Sequence, residues 1–252
     1  MGTLRFLGTS DAQGVPRMLC NCNICIGSDN VRKRPSAFID STQKILIDVS
    51  PDFRQQFLEY QIHIPDLLLV THAHNDHIAG FGDLADLCFW NNKSLLVISP
   101  MDVIKTLKDR YPYLHNRTQI QFIGTTTWKT DEYEISFHKV NHGHNGYSYG
   151  IKFTRLGFVW AYISDAINMS DEQMTPFFNL DLIIMGASYW DESTRPNQEK
   201  RSVYDVQEAI KLKNHLNAHQ MILTHMSHDI DITSRQLPSN VEFSFDGKLI
   251  DT

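Results

Sequence analysis

The sequence predicts one α/β domain, spanning residues 1–252, in which strands and helices build two related sheet layers. Three observations carry that prediction. Strand-like and helix-like periods alternate through the first half of the chain, the second half repeats the style, and nothing between them reads as a linker, a low-complexity tract or a repeat. With 252 residues, of which 42% are hydrophobic, the chain can bury a sizeable core.

Leu4 to Gly8 reads as an opening strand that runs into a loop, Thr9 to Pro16, punctuated by Gly14 and Pro16. Ser36 to Asp40 and Ile45 to Asp48 form a hairpin around Ser41-Thr42-Gln43-Lys44, and Pro51 opens a short helix carrying Phe53, Phe57 and Leu58. Leu67-Leu68-Leu69-Val70 is a buried strand bounded by Pro65. A helix follows it, because Ile78, Phe81, Leu84, Ala85, Leu87 and Cys88 share one face, and Asn75 and Asp76 suit its start. Ser94 to Ile98 is a strand, Asp102 to Arg110 a helix and Ile120 to Ile123 a strand. In the second half Tyr133 to Val140, Tyr147 to Thr154, Phe158 to Ile163, Leu182 to Met185 and Met221 to Leu223 read as strands, with a helix from Val203 to Leu216.

Composition narrows the partners. A formal net charge of −6 gives no bulk electrostatic reason for binding long nucleic acid. Arg32-Lys33-Arg34 is the basic exception, read as a solvated surface ahead of a phosphate site. No apolar run is long enough to span a membrane, and Met1 to Ser10 lacks the basic and apolar regions of a secretion leader, so a soluble, cytoplasmic protein is expected. Three of the four cysteines fall in Cys20-Asn21-Cys22-Asn23-Ile24-Cys25, a cluster that suits a metal better than a disulfide in such a chain. A structural zinc needs a fourth ligand, and a histidine suits it better than Cys88, which lies on an apolar helix face.

The densest chemical signal is Thr71-His72-Ala73-His74-Asn75-Asp76-His77, directly after the Leu67–Val70 strand. His72 and His74 alternate along an extended segment and suit one ion; Asp76 and His77 suit a second. Three histidines falling together by chance is a poor account of this density, given twelve in 252 residues. The pattern H-x-H-x-D-H resembles that of the metallo-β-lactamase superfamily. The resemblance implies a four-layer αββα sandwich, within the α/β (α+β) class, with a two-metal site along the sheet edge. Later strand ends offer the remaining donors: His142 for the first ion, His225 for the second, and Asp165 to bridge them. Asp48, at the end of a buried strand, suits support of a metal-bound histidine.

Thr224-His225-Met226-Ser227-His228 then supplies a fourth ligand for the cysteines, since His228 follows His225 by three positions. On Gly8-Thr9, Ala12 to Pro16, the cysteine cluster, Pro51 to Gln56, the histidine motif, Ser164-Asp165, Leu223-Thr224-His225 and Phe245-Asp246-Gly247, the chain resembles the PhnP-like phosphoribosyl cyclic phosphate phosphodiesterases over nearly its whole length. That resemblance implies a structural zinc at Cys20, Cys22, Cys25 and His228. It also implies two catalytic ions, manganese or zinc, at His72, His74, Asp76, His77, His142, Asp165 and His225. The implied reaction is hydrolysis of a small, in some members cyclic, phosphodiester by a hydroxide bridging the ions, with Asp76 and Asp165 as its catalytic carboxylates.

The chain departs from the pattern in two places. Such enzymes carry a histidine just before the late helix, proposed to act on the leaving group, and Val203 stands there. The loop after His142 is longer, Gly143-His144-Asn145-Gly146-Tyr147, and offers His144 as the substitute. Two other readings stay open: a ribonuclease Z-like nuclease touching tRNA phosphates through Arg32-Lys33-Arg34, and a metal-binding sensor without catalysis. A homodimer is compatible with the sequence.

Overall fold

The computed structural model describes residues 2–114 and 116–252; Met1, part of the leader expectation, lies outside the described residues. Strands β1 (Thr3–Gly8), β2 (Ser36–Asp40), β3 (Ile45–Ile47), β4 (Leu67–Leu69), β5 (Leu95–Ser99), β6 (Ile120–Gly124) and β14 (Leu249–Asp251) make one sheet in the order β14-β1-β2-β3-β4-β5-β6. The second sheet contains β7 (Thr127–Lys129), β8 (Glu134–Asn141), β9 (Tyr147–Arg155), β10 (Phe158–Ile163), β11 (Leu182–Gly186), β12 (Gln220–Thr224) and β13 (Val241–Phe243), in the order β13-β12-β11-β10-β9-β8-β7.

Sheet-buried strands need apolar side chains on both faces, and β3, β4 and β11 have them: every residue of each is buried. A single hydrophobic cluster contains Leu4, Phe6, Ile39 and Leu68 of the first sheet together with Phe137, Phe153, Trp160 and Ile184 of the second, so the sheets pack face to face. Within it Phe153 and Trp160 stack with centroids 4.0 Å apart. Full burial of each such aliphatic or aromatic side chain contributes about 1.5–3 kcal/mol, so burial of this kind is the main source of stability.

Helices α1 (Asn23–Ile26), α2 (Phe53–Tyr60), α3 (Asn75–Ile78), α4 (Phe81–Trp90) and α5 (Met101–Arg110) belong to the first half. Phe53, Phe81, Leu84, Val103 and Leu107 of α2, α4 and α5 join the same cluster. Helices α6 (Asp171–Met174) and α7 (Val206–His215) belong to the second half, where Met174, Val206, Ala209 and Leu212 pack with Ile163, Met185 and Leu223 in a separate cluster. The order of layers is therefore helices, sheet, sheet, helices: the αββα sandwich of a metallo-β-lactamase fold.

Three expectations change in detail. The late helix starts at Val206 and not Val203, because Asp205 and Glu208 form a reciprocal capping box while the Tyr204 N–H is tied to the Ala166 carbonyl at 2.9 Å. The helix after the histidine motif is broken into α3 and α4 at Gly80, where a Cβ would come within 2.3 Å of the Ser50 carbonyl oxygen. Three strands of three residues each, β7, β13 and β14, join the sheets without a mark in the sequence, because so short a segment carries no countable period. Among the described residues no helix is long and apolar enough to cross a membrane.

Candidate metal centre

The site is assembled by sheet direction. In the first sheet β4 pairs parallel with β3 and β5, and its carboxyl end passes into the extended segment that carries His72 and His74. His74 then caps α3, whose single turn presents Asp76 and His77. In the second sheet β10, β11 and β12 are parallel, and β8 shares their direction because β9 runs antiparallel to both β8 and β10. The carboxyl ends of β8, β10 and β12 therefore lie on one edge, where His142, Asp165 and His225 follow them. The Tyr149 N–H donates to the Thr71 carbonyl at 3.1 Å, joining the two sheets beside this edge. Gly186 ends β11 there, and a Cβ would come within 1.7 Å of the Ser164 carbonyl oxygen, so no other residue lets the strands approach so closely.

All seven side chains from these segments meet. Ligand atoms of His72, His74 and His142 lie within 4.8 Å of one another, as do those of His72, His77 and Asp165 and those of Asp76, His77 and His225. His72 Nε2 and His74 Nδ1 are 2.8 Å apart. His77 Nε2 lies 3.2 Å from Asp76 Oδ2 and 3.1 Å from Asp165 Oδ2, and His225 Nε2 lies 3.3 Å from Asp165 Oδ1. Asp165 thus reaches both halves of the cluster, with Oδ1 also 3.7 Å from His142 Nε2. Apart from half-buried His74, these residues are buried.

A ring of outer partners fixes which nitrogen faces inward. His142 Nδ1 donates to the Ser202 carbonyl at 2.6 Å, which leaves Nε2 as the inward lone pair. His77 Nδ1 donates to Asp48 Oδ2 at 2.7 Å. Thr71 Oγ1 donates to the same Asp48 oxygen at 2.8 Å and accepts from His72 Nδ1 at 3.1 Å. Asp48 and His225 both hold φ 56°, a left-handed conformation that costs a non-glycine residue of the order of 1–3 kcal/mol and clusters at functional sites.

The electrostatics point to cations. Burial, with help from the neighbouring His77, pushes the His72 imidazole well below its ordinary range, and burial likewise lowers His74. Burial opposes charge on Asp165, but His225 and His77 outweigh it and hold the carboxyl well below the usual range. His77 is raised well above its ordinary value against burial, by Asp76, Asp165 and Asp48, and His225 is raised by Asp165 and Asp76. A proton on His77 or His225 occupies the place of positive charge that the three carboxylates demand. His77 Nε2 and Asp165 Oδ2, fully buried, have no well-aligned hydrogen-bond partner among the described residues despite their 3.1 Å separation. Lone pairs crowded around a common point and left without donors fit divalent ions, and the nitrogen and oxygen donors suit zinc or manganese.

The second candidate site is separate. Cys20, Cys22 and Cys25 Sγ lie 3.3, 3.5 and 3.3 Å from His228 Nδ1. A tetrahedral zinc with Zn–S of about 2.3 Å and Zn–N of about 2.0 Å has S···N edges of about 3.5 Å, so the donor set fits. The three thiols are free, and Cys88 is buried in α4 away from them. His144 stands exposed on a single turn, Gly143–Asn145, and joins no ligand group; Val203 is buried and follows Ser202, whose carbonyl holds His142.

The basic run is not the solvated surface expected. Arg32 is 2% exposed, Lys33 Nζ pairs with Glu59 at 2.8 Å, and Arg34 forks onto Asp52 at 2.6 and 2.9 Å. Each cation is drawn inward by a partner distant in sequence, which a local charge count cannot register. Sequence reasoning also missed the Ser202 carbonyl, and no signal marks a backbone oxygen that serves a histidine 60 positions away.

A family model described as a beta-lactamase superfamily domain matches residues 43–226. Among solved structures, the chain is similar to a diphosphatase from the PhnP family, at 26% identity and TM-score 0.86 over 99% of this chain and 96% of that one. The fold is shared with human tRNase Z, short form, at 15% identity and TM-score 0.77 over 99% and 98% of the two chains. It is also shared with zinc-bound PqqB of Methylobacterium extorquens, at 14% identity and TM-score 0.83 over 99% and 100%. A protein of Porphyromonas gingivalis named octanoyltransferase is 27% identical over 96% of this chain, but the chain spans only 50% of that relative's length, and the name is that of the whole relative.

Proposed function

We propose, since the chain belongs to the metallo-β-lactamase superfamily, whose members are metal-dependent hydrolases, that it hydrolyses a small phosphodiester, cyclic diesters included. The observation that carries the proposal is the meeting of five imidazoles and two carboxylates on one sheet edge. Likeness to a diphosphatase over nearly the full length of both chains supports phosphorus chemistry in particular. His72, His74 and His142 would hold one divalent ion, and Asp76, His77 and His225 the other, with Asp165 shared. Manganese or zinc bound there supplies positive charge for the phosphoryl oxygens and lowers the pKa of water.

The chain's own residues do the rest. The Ser202 carbonyl and the Asp48 carboxylate lock His142 and His77 in the tautomers that offer Nε2 to the centre. Asp76 and Asp165 stay ionised despite burial and hold negative charge against the ions. His144, exposed two residues after His142, donates a proton to the leaving oxygen in place of the histidine replaced by Val203. Cys20, Cys22, Cys25 and His228 hold a structural zinc.

The test is turnover by the purified, metal-loaded chain of bis(4-nitrophenyl) phosphate, a ribose cyclic phosphate and an inorganic or organic diphosphate. Turnover of a diester that stops with chelator and returns with manganese or zinc is expected. Full metal content with no turnover of any ester would instead favour a sensor without catalysis. The nuclease reading rests on fold likeness to tRNase Z, and the inward pairing of Arg32, Lys33 and Arg34 removes the basic run that motivated it. Cleavage of precursor tRNA with no action on small diesters would restore it.

A further inference from the structure

Arg32 is a buried cation without an ion-pair partner among the described residues. Its guanidinium is spent instead on backbone: Nη2 donates to the carbonyls of Ser227 and Ile230 at 2.9 and 3.2 Å, and Nη1 donates to Asn30 Oδ1 at 3.0 Å. Asn30 extends the same grip, since Oδ1 accepts from the Ile232 N–H at 3.0 Å and Nδ2 donates to Asp231 Oδ1 at 3.1 Å. Asp246, Asp11 and Asp231 attract the charge from farther away, and burial still draws its pKa down to about 10. At the other end the Arg32 backbone pairs with Val15 in both directions, at 3.0 and 2.8 Å, and so anchors the loop that leads to the cysteines.

The turn it grips sits between the two candidate metal sites. Ser227 lies two residues after His225, whose backbone is held at φ 56°, and immediately before His228, which faces the three thiols. A left-handed histidine persists only where its surroundings over-determine it. The His225 Nδ1 has no hydrogen-bond partner among the described residues, so its ring lacks the outer support that Asp48 gives His77 and Ser202 gives His142. The ring stacks on His77 with centroids 5.6 Å apart, and its further restraint comes through the backbone of the segment, where the Met226 N–H donates to the Thr9 carbonyl at 2.8 Å, the Ser227 N–H to the Ser188 carbonyl at 2.9 Å, and Arg32 grips the carbonyls of Ser227 and Ile230. We propose that Arg32 is the positioning residue of the 225–230 segment, setting at once the placement of His225 in the catalytic centre and of His228 in the Cys₃His site. The proposal rests on the metal-site reading above and not on the identity of the substrate.

A guanidinium serves both carbonyls from Nη2 and Asn30 from Nη1 at once through a rigid fork, whereas an ammonium is a single donor nitrogen one bond shorter and a thioether donates nothing. The full chain is loaded with zinc or with cobalt, and metal release into a colorimetric chelator is followed well below the unfolding temperature. Arg32→Met, which keeps the unbranched apolar stem and lacks donors, is compared with Arg32→Lys and with Leu107→Ala, a core variant in α5. Both Arg32 variants are expected to release metal from both sites faster by about 10-fold or more, with cobalt spectra altered at both, as loss of outer support typically does. Leu107→Ala should lower the melting temperature and leave release unchanged. Release from folded Arg32→Lys at the wild-type rate, or acceleration at one site alone, would overturn the proposal. Because release is read without substrate, a chain that turns over no diester leaves this result standing and sinks only the functional reading.

Discussion

His77 is the residue on which the candidate metal centre turns, since it lies within 3.2 Å of Asp76 and Asp165 and holds Asp48 from behind. Asp48→Asn keeps an acceptor for the Thr71 N–H but can turn an amide donor toward His77 Nδ1, which forces the ring proton to Nε2. An imidazole protonated on its inward nitrogen cannot ligate. Metal affinity at this candidate centre should fall about 10–100-fold in a chelator competition, and unchanged affinity would show that Asp48 does not set the tautomer. His144 is tested through leaving groups. His144→Ala should slow hydrolysis of alkyl diesters about 10²-fold and barely affect 4-nitrophenyl esters, whose phenolate departs unprotonated. Equal loss on both would remove the acid role. At this scale the site was legible where ligands are close in sequence, as in His72 to His77, or stand just past an apolar strand, as with His142, Asp165 and His225. Arg32 and Ser202 were not legible, because their partners are reached only through the folded backbone.

At the scale of elements, long strands announce themselves, β9 through the alternation of Tyr147, Tyr149, Ile151 and Phe153 with polar or small residues and β10 through a continuous apolar run, whereas the edge strands β7, β13 and β14 exist because a neighbour offers a free ladder. The cysteine loop is an element of the same dependent kind. It contains only the one-turn α1 and closes on His228, some 200 positions away, through Cys20, Cys22 and Cys25. With so little apolar burial of its own, such a loop would draw order from an ion that its donors fit. Cys22→Ser should therefore lower zinc content by about one ion per chain and lower the melting temperature, with activity reduced indirectly through the 225–228 segment. Full zinc content at the wild-type melting temperature would refute a structural zinc there. The capped start of α7 at Asp205 is readable in principle from Asp205-x-x-Glu208, and a start at Val203 gives apolar spacing more weight than the cap.

For the whole molecule, the two-sheet architecture followed from the alternation of periods, but the sheet order did not, since strand pairing depends on contacts remote in sequence. What that pairing creates is a buried charge cluster whose titration couples metal to fold. In the metal-free chain His72 and His74 are depressed and His77 and His225 are raised relative to an unfolded imidazole at about 6.5. As pH falls below about 6.5 the unfolded chain takes up protons that folded His72 and His74 refuse, so stability declines. As pH rises above it the unfolded chain loses protons that folded His77 and His225 retain, so stability declines again. The metal-free cluster thus favours the fold most near pH 6.5. Ions bound at the proposed site would replace the protons on His77 and His225, so a loaded fold would bind fewer protons and its stability should rise with pH where that of the stripped fold falls. Urea midpoints of chelator-treated and zinc-loaded protein at pH 6.5 and 8 should move in opposite directions between the two pH values. Parallel movement would mean that the seven side chains do not share their site between protons and metal.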